Sequence, residues 1–343
     1  MPKWNIAARF FTSTEDRWLD DFIRDPDLSF RKIVFMRDES WHDSKNPRTS
    51  GKQWLNVLSQ SCRAFQGRPD GIITCFPQLA MTVAILKRLT FRGTHLVAHN
   101  FNLGGFPGGL RQRLARFAAR AIDVFIVHSP LEVASYADYL GVPAPRVKFV
   151  PLQRGKITLA RVEDMATPFL LAMGSAGRDY RTLIAAADSL GVHTIIVTRQ
   201  DIIKSLPKSE HVTFRHGLSE AECLELLAGA RLSVVPLGNL QTASGQVTFV
   251  NAMMLGVPLI ATRCPGTEGY IEDGVTGVLV APFDRAGMTQ AIATLWNDAP
   301  LRAELAERER VFAHAHLSDE AAAESLGTLL RAIGQPAKLI EDR

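Results

Sequence analysis

The stretch 243-ASGQVTFVNAMMLGVPLIATRCPG-266 reads as a helix followed at once by a buried strand. A helix packed inside an α/β domain should tolerate Ser244, Gln246 and Asn251 poorly, so these polar groups are expected to face something. Ser244 reads as the N-cap, and Gly245 lets the backbone turn closely there. The helix begins just after the apolar run LSVVPL and the loop GNLQTA. Its start therefore presents free N–H groups and a positive dipole end, which suits a phosphate. Ser244 and Asn251 lie seven residues apart, on nearly the same helix face and two turns separated. An amide there is placed to bond a ribose hydroxyl, or else to satisfy a backbone carbonyl in a capped core helix.

The same alternation extends outward in both directions. Downstream of residue 167, strands are expected at Phe169–Met173, Thr194–Val197, Val212–Phe214, Leu232–Pro236, Leu259–Thr262 and Gly277–Val280, with helices at 179–190, 219–229 and 245–255. Helical patterns run from Ala286 to about Ile333. Upstream, strands are expected at Trp4–Phe11, Phe30–Met36, Gly71–Phe76, His95–Ala98, Val124–His128 and Val147–Pro151. Helices are expected at Trp54–Phe65, at Leu79–Leu89 and after Ser129, where Ser129 caps, Pro130 opens and Gly141 ends the helix. Alternation of this kind implies α/β domains with parallel sheets covered on both faces. A polar stretch, QRGKITLARVEDMATP, interrupts it. The expected organisation is two tandem Rossmann-like doubly wound domains facing across a cleft. The boundaries are 1–153 for an acceptor-side domain, 154–167 for a linker, 168–317 for a donor domain and 318–343 for a C-terminal helix that packs back on the first domain.

With 343 residues, 46% of them hydrophobic, the chain has material for two cores. Its four cysteines are scattered and form no CxxC pair, which argues against a zinc site or a disulfide framework and for a reducing, cytoplasmic compartment. The start resembles no signal peptide, and no apolar run approaches a membrane span. The net charge of +4 conceals an asymmetry. Residues 1–161 carry 24 Lys/Arg against 13 Asp/Glu, and the remainder carries 15 against 22. The basic half is expected to meet something anionic.

The run SGQVTFVNAMMLGVPLIATRCPGTEGYIEDGVTGVLVAPFD resembles the donor-binding signature of retaining, family 4-type glycosyltransferases of the GT-B fold. Ala252-Met253, Gly256, Pro258, Asp273-Gly274 and Gly277 match its spaced motifs, and GSAGRDY at 174–180 resembles the first donor-domain loop. The family keeps two glutamates eight positions apart. Here Ala243 and Asn251 stand in their places, in a Ser-Gly-Gln variant. The resemblance implies that Gly245, Gln246, Val247 and Thr248 hold sugar or phosphate, with Gln246 toward the sugar, and that Asn251 meets the ribose. It also implies an Arg and a Lys that neutralise the departing diphosphate. Ser175 occupies the Arg position and Arg178 falls near the Lys position, beside Gly174; Arg199 and Lys204 are candidates for the second cation. A guanidinium suits phosphate because it donates bidentate bonds and stays charged.

In the basic half, THLVAHNFNLGGFPGG places His99 at a strand C-terminus, where ligands of open α/β sheets collect. The family often carries a His there. In GLRQRLARFAARAI, Leu110, Leu114, Phe117 and Ala121 share one face while Arg113, Arg116 and Arg120 stack on a flank. This is a basic amphipathic helix of a type that lies on anionic membranes, with Phe106 expected to be exposed nearby. Together these readings imply a hexosyltransferase that moves sugar from a UDP- or GDP-linked donor to a glycan or lipid-linked acceptor. His99 and Arg178 are the catalytic candidates; no metal, no other cofactor and no nucleic-acid partner are expected. A non-catalytic partner of an active transferase stays open as the alternative.

Overall fold

The computed structural model describes residues 1–35, 51–90 and 93–334. Met36, the end of one expected strand, and residues 335–343 of the expected C-terminal segment lie outside the described residues. The chain divides into two compact units. One is Met1–Val150 together with the chain from Ala322 onward, and the other is Pro151–Ala321.

In the first unit six parallel strands line up as β2-β1-β3-β4-β5-β6. They are β1 (Lys3–Ala7), β2 (Ser29–Ile33), β3 (Gly71–Cys75), β4 (His95–His99), β5 (Val124–Val127) and β6 (Val147–Phe149). Between them run α1 (Gly51–Arg63), α2 (Pro77–Leu89), α3 (Leu110–Ala119) and α4 (Glu132–Leu140). The apolar runs of the inner strands β3 and β5 are buried along their whole length, as the centre of a parallel sheet requires, while the edge strands β2 and β6 are partly exposed. Alternate residues divide between two cores. Ile72, Leu96 and Ala98 join Val83, Ala119 and Tyr136 on one face. Ile73, Cys75 and Val97 join Trp4, Phe11 and Trp18 on the other, which Ala322, Ala323, Leu326 and Leu330 complete.

The second unit repeats the plan. Its strands are β7 (Leu170–Met173), β8 (Thr194–Val197), β9 (Val212–Arg215), β10 (Leu232–Val235), β11 (Leu259–Thr262) and β12 (Val278–Val280). Their order is β12-β11-β10-β7-β8-β9, all parallel. Its helices are α5 (Tyr180–Leu190), α6 (Gln200–Ile203), α7 (Glu220–Gly229), α8 (Gln246–Leu255), α9 (Arg285–Asn297) and α10 (Ala299–His316), and the last helix, α11 (Asp319–Gly334), belongs from Ala322 onward to the first unit. In α8 every residue from Phe249 to Leu255 is buried, Asn251 included, as expected of a helix that is apolar all round.

Several local expectations change. Strand β1 ends at Ala7 because the N–H of Phe11 bonds the Ala8 carbonyl and closes a turn. Helix α4 starts at Glu132, and Ser129 does not cap it: its Oγ accepts from the Leu131 N–H in a tight local turn. Gly141 does end that helix in the left-handed conformation. The polar stretch expected as a linker makes contacts within the second unit. Val162 N–H bonds the Ala228 carbonyl, Arg161 donates to the Gly256 carbonyl at 2.7 Å, and Glu163 pairs with Arg231 at 2.7 Å. Short polar residues obscured this, because their partners are far away in sequence.

One buried carboxyl in this unit yields a pH prediction. Glu309 of α10 is fully buried; one oxygen accepts the Leu259 N–H at 3.0 Å and the other has no hydrogen-bond partner among the described residues. Burial raises its pKa well above the ordinary glutamate value, against the smaller effects of that N–H and Arg161. A folded-state pKa above the unfolded one means that its stabilising contribution is full in acid and is lost as pH rises through the folded value. Glu309→Gln, which mimics the protonated form, is expected to raise Tm at pH 8 and to lose that advantage toward pH 4. Each kcal/mol recovered corresponds to about 2–4 °C. Thermal unfolding across that range checks this, and a variant less stable than wild type at pH 8 contradicts it.

Candidate functional site

In the second unit, β7 connects onward to β8 and β9 on one side of the sheet, while β10 leads to β11 and β12 on the other. The point where strand order reverses lies between β7 and β10, and open α/β sheets bind ligands beyond the strand C-termini at such a point. Two loops meet there. Asp179 N–H bonds the Pro236 carbonyl at 3.0 Å, Gly238 N–H bonds the Gly177 carbonyl at 2.8 Å, and Leu237 N–H bonds Thr262 Oγ1 at 2.9 Å.

Arg178 sits at this junction. It is half-buried, and its guanidinium donates to three neutral groups: the Met173 carbonyl at 3.1 Å, the Ala176 carbonyl at 2.8 Å and Thr248 Oγ1 at 3.1 Å. No carboxylate among the described residues lies within ion-pair distance of it. Burial lowers its pKa from the ordinary value, yet a guanidinium remains charged. A half-buried cation held only by dipoles, with N–H groups to spare, has the chemistry to accept an anion. Gly174, at φ +113°, makes room for it, because a side chain there would collide with the guanidinium. The Tyr180 hydroxyl fixes the Gly174 carbonyl at 2.6 Å.

Thr248 brings the start of α8 to the same place. The helix is not capped by Ser244 as its sequence implies. The N-cap is Gly245, whose left-handed backbone (φ +90°) leaves no side-chain cap, while Ser244 Oγ is buried with no hydrogen-bond partner among the described residues. The turn at Gly245 carries the hydroxyl away from the first-turn amides, and the Thr248 N–H bonds the Gly245 carbonyl at 2.9 Å instead. Gly266 closes over this turn; a Cβ there would run into the Ser244 carbonyl. Gln246 is buried, Val247 is 48% exposed, and Thr248 lies between. Asn251, two turns along, is buried, and its Oδ1 accepts from Arg154 Nε at 2.8 Å.

Of the remaining candidates in this unit, Ser175 bonds Thr198 Oγ1 at 3.2 Å and receives the Arg199 N–H at 3.3 Å. The Arg199 side chain is exposed and paired with both oxygens of Asp201, at 2.9 and 3.0 Å, so it does not join Arg178 as a second cation. Arg154 was not legible as a site residue, since it lies 97 positions from Asn251 in the polar stretch.

The first unit has its own reversal between β1 and β3. Across it Arg9, just past β1, donates to Gln78 Oε1 at 2.8 Å. Sequence reasoning missed both; their only signal is that each follows a strand. Two non-glycine residues hold positive φ at neighbouring strand ends, Phe76 (+74°) and Asn100 (+52°), and such strain concentrates at functional sites. His99 lies between them, almost fully buried, 5.2 Å from the Trp18 ring and 5.8 Å from His128. Burial first, then His128, lowers its pKa to about 3, so the imidazole is neutral near pH 7 and is suited to hydrogen bonding rather than to donating a proton as a strong acid.

The basic helix differs from its expectation. Phe106 is not exposed: its ring packs 5.2 Å from both Tyr136 and Tyr139. Arg116 turns onto the C-terminal carbonyls of α4, donating to Tyr139 at 2.9 Å and Asp138 at 3.2 Å. The core contacts of α3 come from Ala118 and Ala119, with Ala115 packed against them, while Leu110, Leu114 and Phe117 are 72%, 53% and 40% exposed. Arg113 and Arg120 are exposed as well.

Comparisons with known proteins bear on the fold and on the second unit. Residues 178–298 match the family model for Glycosyl transferases group 1. Over 107 residues the chain is 32% identical to the alpha-D-kanosaminyltransferase of Streptomyces kanamyceticus, covering 30% of this chain and 28% of that protein. The chain thus spans well under two thirds of that relative. It is 25% identical over 258 residues to the lipopolysaccharide glucosyltransferase WaaG of Escherichia coli, covering 70% and 67% of the two chains. Among solved structures, sucrose-phosphate synthase from Thermosynechococcus elongatus superposes with a TM-score of 0.70 at 20% identity, covering 96% of this chain and 88% of that one. Anabaena HepE in complex with UDP-glucose gives 0.70 at 17% identity, covering 96% and 99%. The chain has the two-domain GT-B fold, and the family match falls within its second unit.

Because Gly266 is pressed on Ser244, Gly266→Ala is expected to displace the Gly245 turn and to destabilise the protein by about 1–3 kcal/mol, as overpacking does. Denaturant unfolding measures this; an unchanged midpoint shows that the turn is not held from that side.

Proposed function

We propose that the chain transfers a hexose from a nucleotide diphosphate sugar to a glycan or lipid-linked acceptor, with retention of anomeric configuration. The observation that carries the reading is Arg178, a half-buried cation with only neutral partners, set beside the first turn of α8 where the strand order reverses. The family match over 178–298 supports it, and so do the names of both sequence relatives, each a glycosyltransferase.

Negative charge grows on the diphosphate as the bond to the sugar breaks. The helix start and Arg178 meet that charge with dipoles and a cation already in place, so little reorganisation is needed in the transition state. These groups supply the compensation a divalent ion would otherwise give, and the reaction is proposed to need no metal. Gln246 would face the sugar and Asn251 the ribose. His99 would act as a neutral hydrogen-bonding group. In this account the leaving diphosphate takes the acceptor's proton, so no protein carboxylate serves as base.

One observation favours a second reading. Neither Ala243 nor Asn251 offers a carboxylate, and the oxygen of Asn251 is already engaged by Arg154. A non-catalytic partner would keep nucleotide binding and lose turnover. A thermal-shift panel of UDP, GDP and their sugars, followed by turnover with the best binder in EDTA, separates these outcomes. The proposal expects stabilisation by one nucleoside diphosphate and product formation in chelator. Binding without turnover supports the partner, activity restored only by manganese overturns metal independence, and no binding overturns the donor site.

For the acceptor side we propose contact with an anionic membrane surface through α3. Large side chains normally point inward, yet here alanines fill the core and Leu110, Leu114 and Phe117 point out beside Arg113 and Arg120. An outward apolar stripe flanked by arginines fits the headgroup boundary of anionic lipids, which would make the protein peripheral on the inner face of the membrane. No helix among the described residues is long and apolar enough to cross a membrane. Sedimentation with vesicles is expected to show binding at 30% phosphatidylglycerol, about tenfold weaker binding for Leu114→Glu/Phe117→Glu, and little with pure phosphatidylcholine. Equal binding by the variant contradicts the assignment.

A further inference from the structure

Three side chains distant in sequence meet beside α8. Arg154 Nε donates to Asn251 Oδ1 at 2.8 Å, and Arg154 Nη2 is bound to Glu220 Oε1. A guanidinium only donates, so it settles the orientation of the Asn251 amide: the oxygen faces Arg154, and the NH₂ is directed away from it. Arg154 is itself held in place. Its N–H bonds the Leu317 carbonyl at 3.0 Å, and its backbone bridges Ser318. Glu220 opens α7, and its side chain is 69% exposed, so the carboxylate keeps acceptor capacity beyond the one bond to Arg154. Asn251 lies five residues beyond Gln246, which at 1.5 Å per residue is about 7–8 Å along α8 from the anion-binding turn. That is about the separation between a diphosphate and the hydroxyl edge of its ribose.

We infer that Arg154 is a positioning residue that sets Asn251 and Glu220 as a donor–acceptor pair for the vicinal hydroxyls of a nucleotide's ribose. The inference rests on the reading of this unit as a nucleoside diphosphate site. An acid at position 251 would serve the hydroxyls as an acceptor. With Asn251 anchored through its oxygen, that position becomes a donor, and the carboxylate is supplied from α7. Each hydroxyl both donates and accepts, so a diol satisfies such a pair while a deoxyribose leaves one member without a ligand partner.

The test is calorimetric titration of the full chain with UDP or GDP, whichever binds, with its 2′-deoxy and 3′-deoxy analogues, and with inorganic pyrophosphate. Wild type is expected to prefer the ribonucleotide about tenfold over at least one deoxy form. Arg154→Ala should shrink that preference below about threefold with pyrophosphate affinity unchanged. Arg154→Lys, which cannot span both partners, should not restore it. Glu220→Gln, a substitution at an exposed position, should reduce it in a chain that folds. The inference is overturned if Arg154→Ala and Glu220→Gln keep the wild-type preference, or if Arg154→Ala weakens pyrophosphate and both nucleotides alike. A wild-type chain that binds pyrophosphate and nucleotides without any ribose preference overturns it too and leaves the diphosphate site standing. A chain that binds none of these ligands overturns the donor-site reading along with it.

Discussion

The half-buried Arg178 guanidinium is held by two carbonyls and a hydroxyl, with no carboxylate among the described residues beside it, and the loops around it are arranged to admit it. Desolvating a cation without a counter-charge costs stability unless dipoles or a ligand compensate. The loop after β7 gives up a side chain at Gly174 to admit it, and Tyr180 pins that loop. The loop after β10 pairs with the first loop, and α8 contributes Thr248. Two of the polar residues that interrupt an otherwise apolar helix have cationic partners: Thr248 accepts from Arg178 and Asn251 from Arg154.

Most of the fold was legible because the strands of a parallel sheet are short apolar runs and the helices between them alternate with a different period. Strands β8 and β11 fall on the residues expected of them, Thr194–Val197 and Leu259–Thr262. What pattern could not show was backbone conformation and distant pairing. Ser244 has the right chemistry for a cap, but the left-handed turn at Gly245 removes it from the amides. Phe106 sits among glycines and looks exposed, yet two tyrosines from α4 cover it. Arg116 belongs to the basic flank by helical spacing and is drawn instead to the open carbonyls at the end of α4. Arg9 and Gln78 are marked only by following a strand and Arg154 not even by that, since each acquires meaning from a partner at least 69 positions away.

The two units use their reversal points differently. The second builds a charge-complementary turn from a helix start, a guanidinium and two glycines. The first gathers a histidine held uncharged by burial, an arginine bonded to the Gln78 amide, and two strained residues at strand ends.

The central claim is that Arg178 and the start of α8 bind a diphosphate. Its most direct measure is the affinity gained when a nucleoside is extended to its diphosphate, for wild type and for Arg178→Ala. The account predicts a gain of about a hundredfold or more in wild type, most of it lost in the variant while nucleoside affinity is unchanged. A diphosphate gain of equal size in both proteins would contradict it.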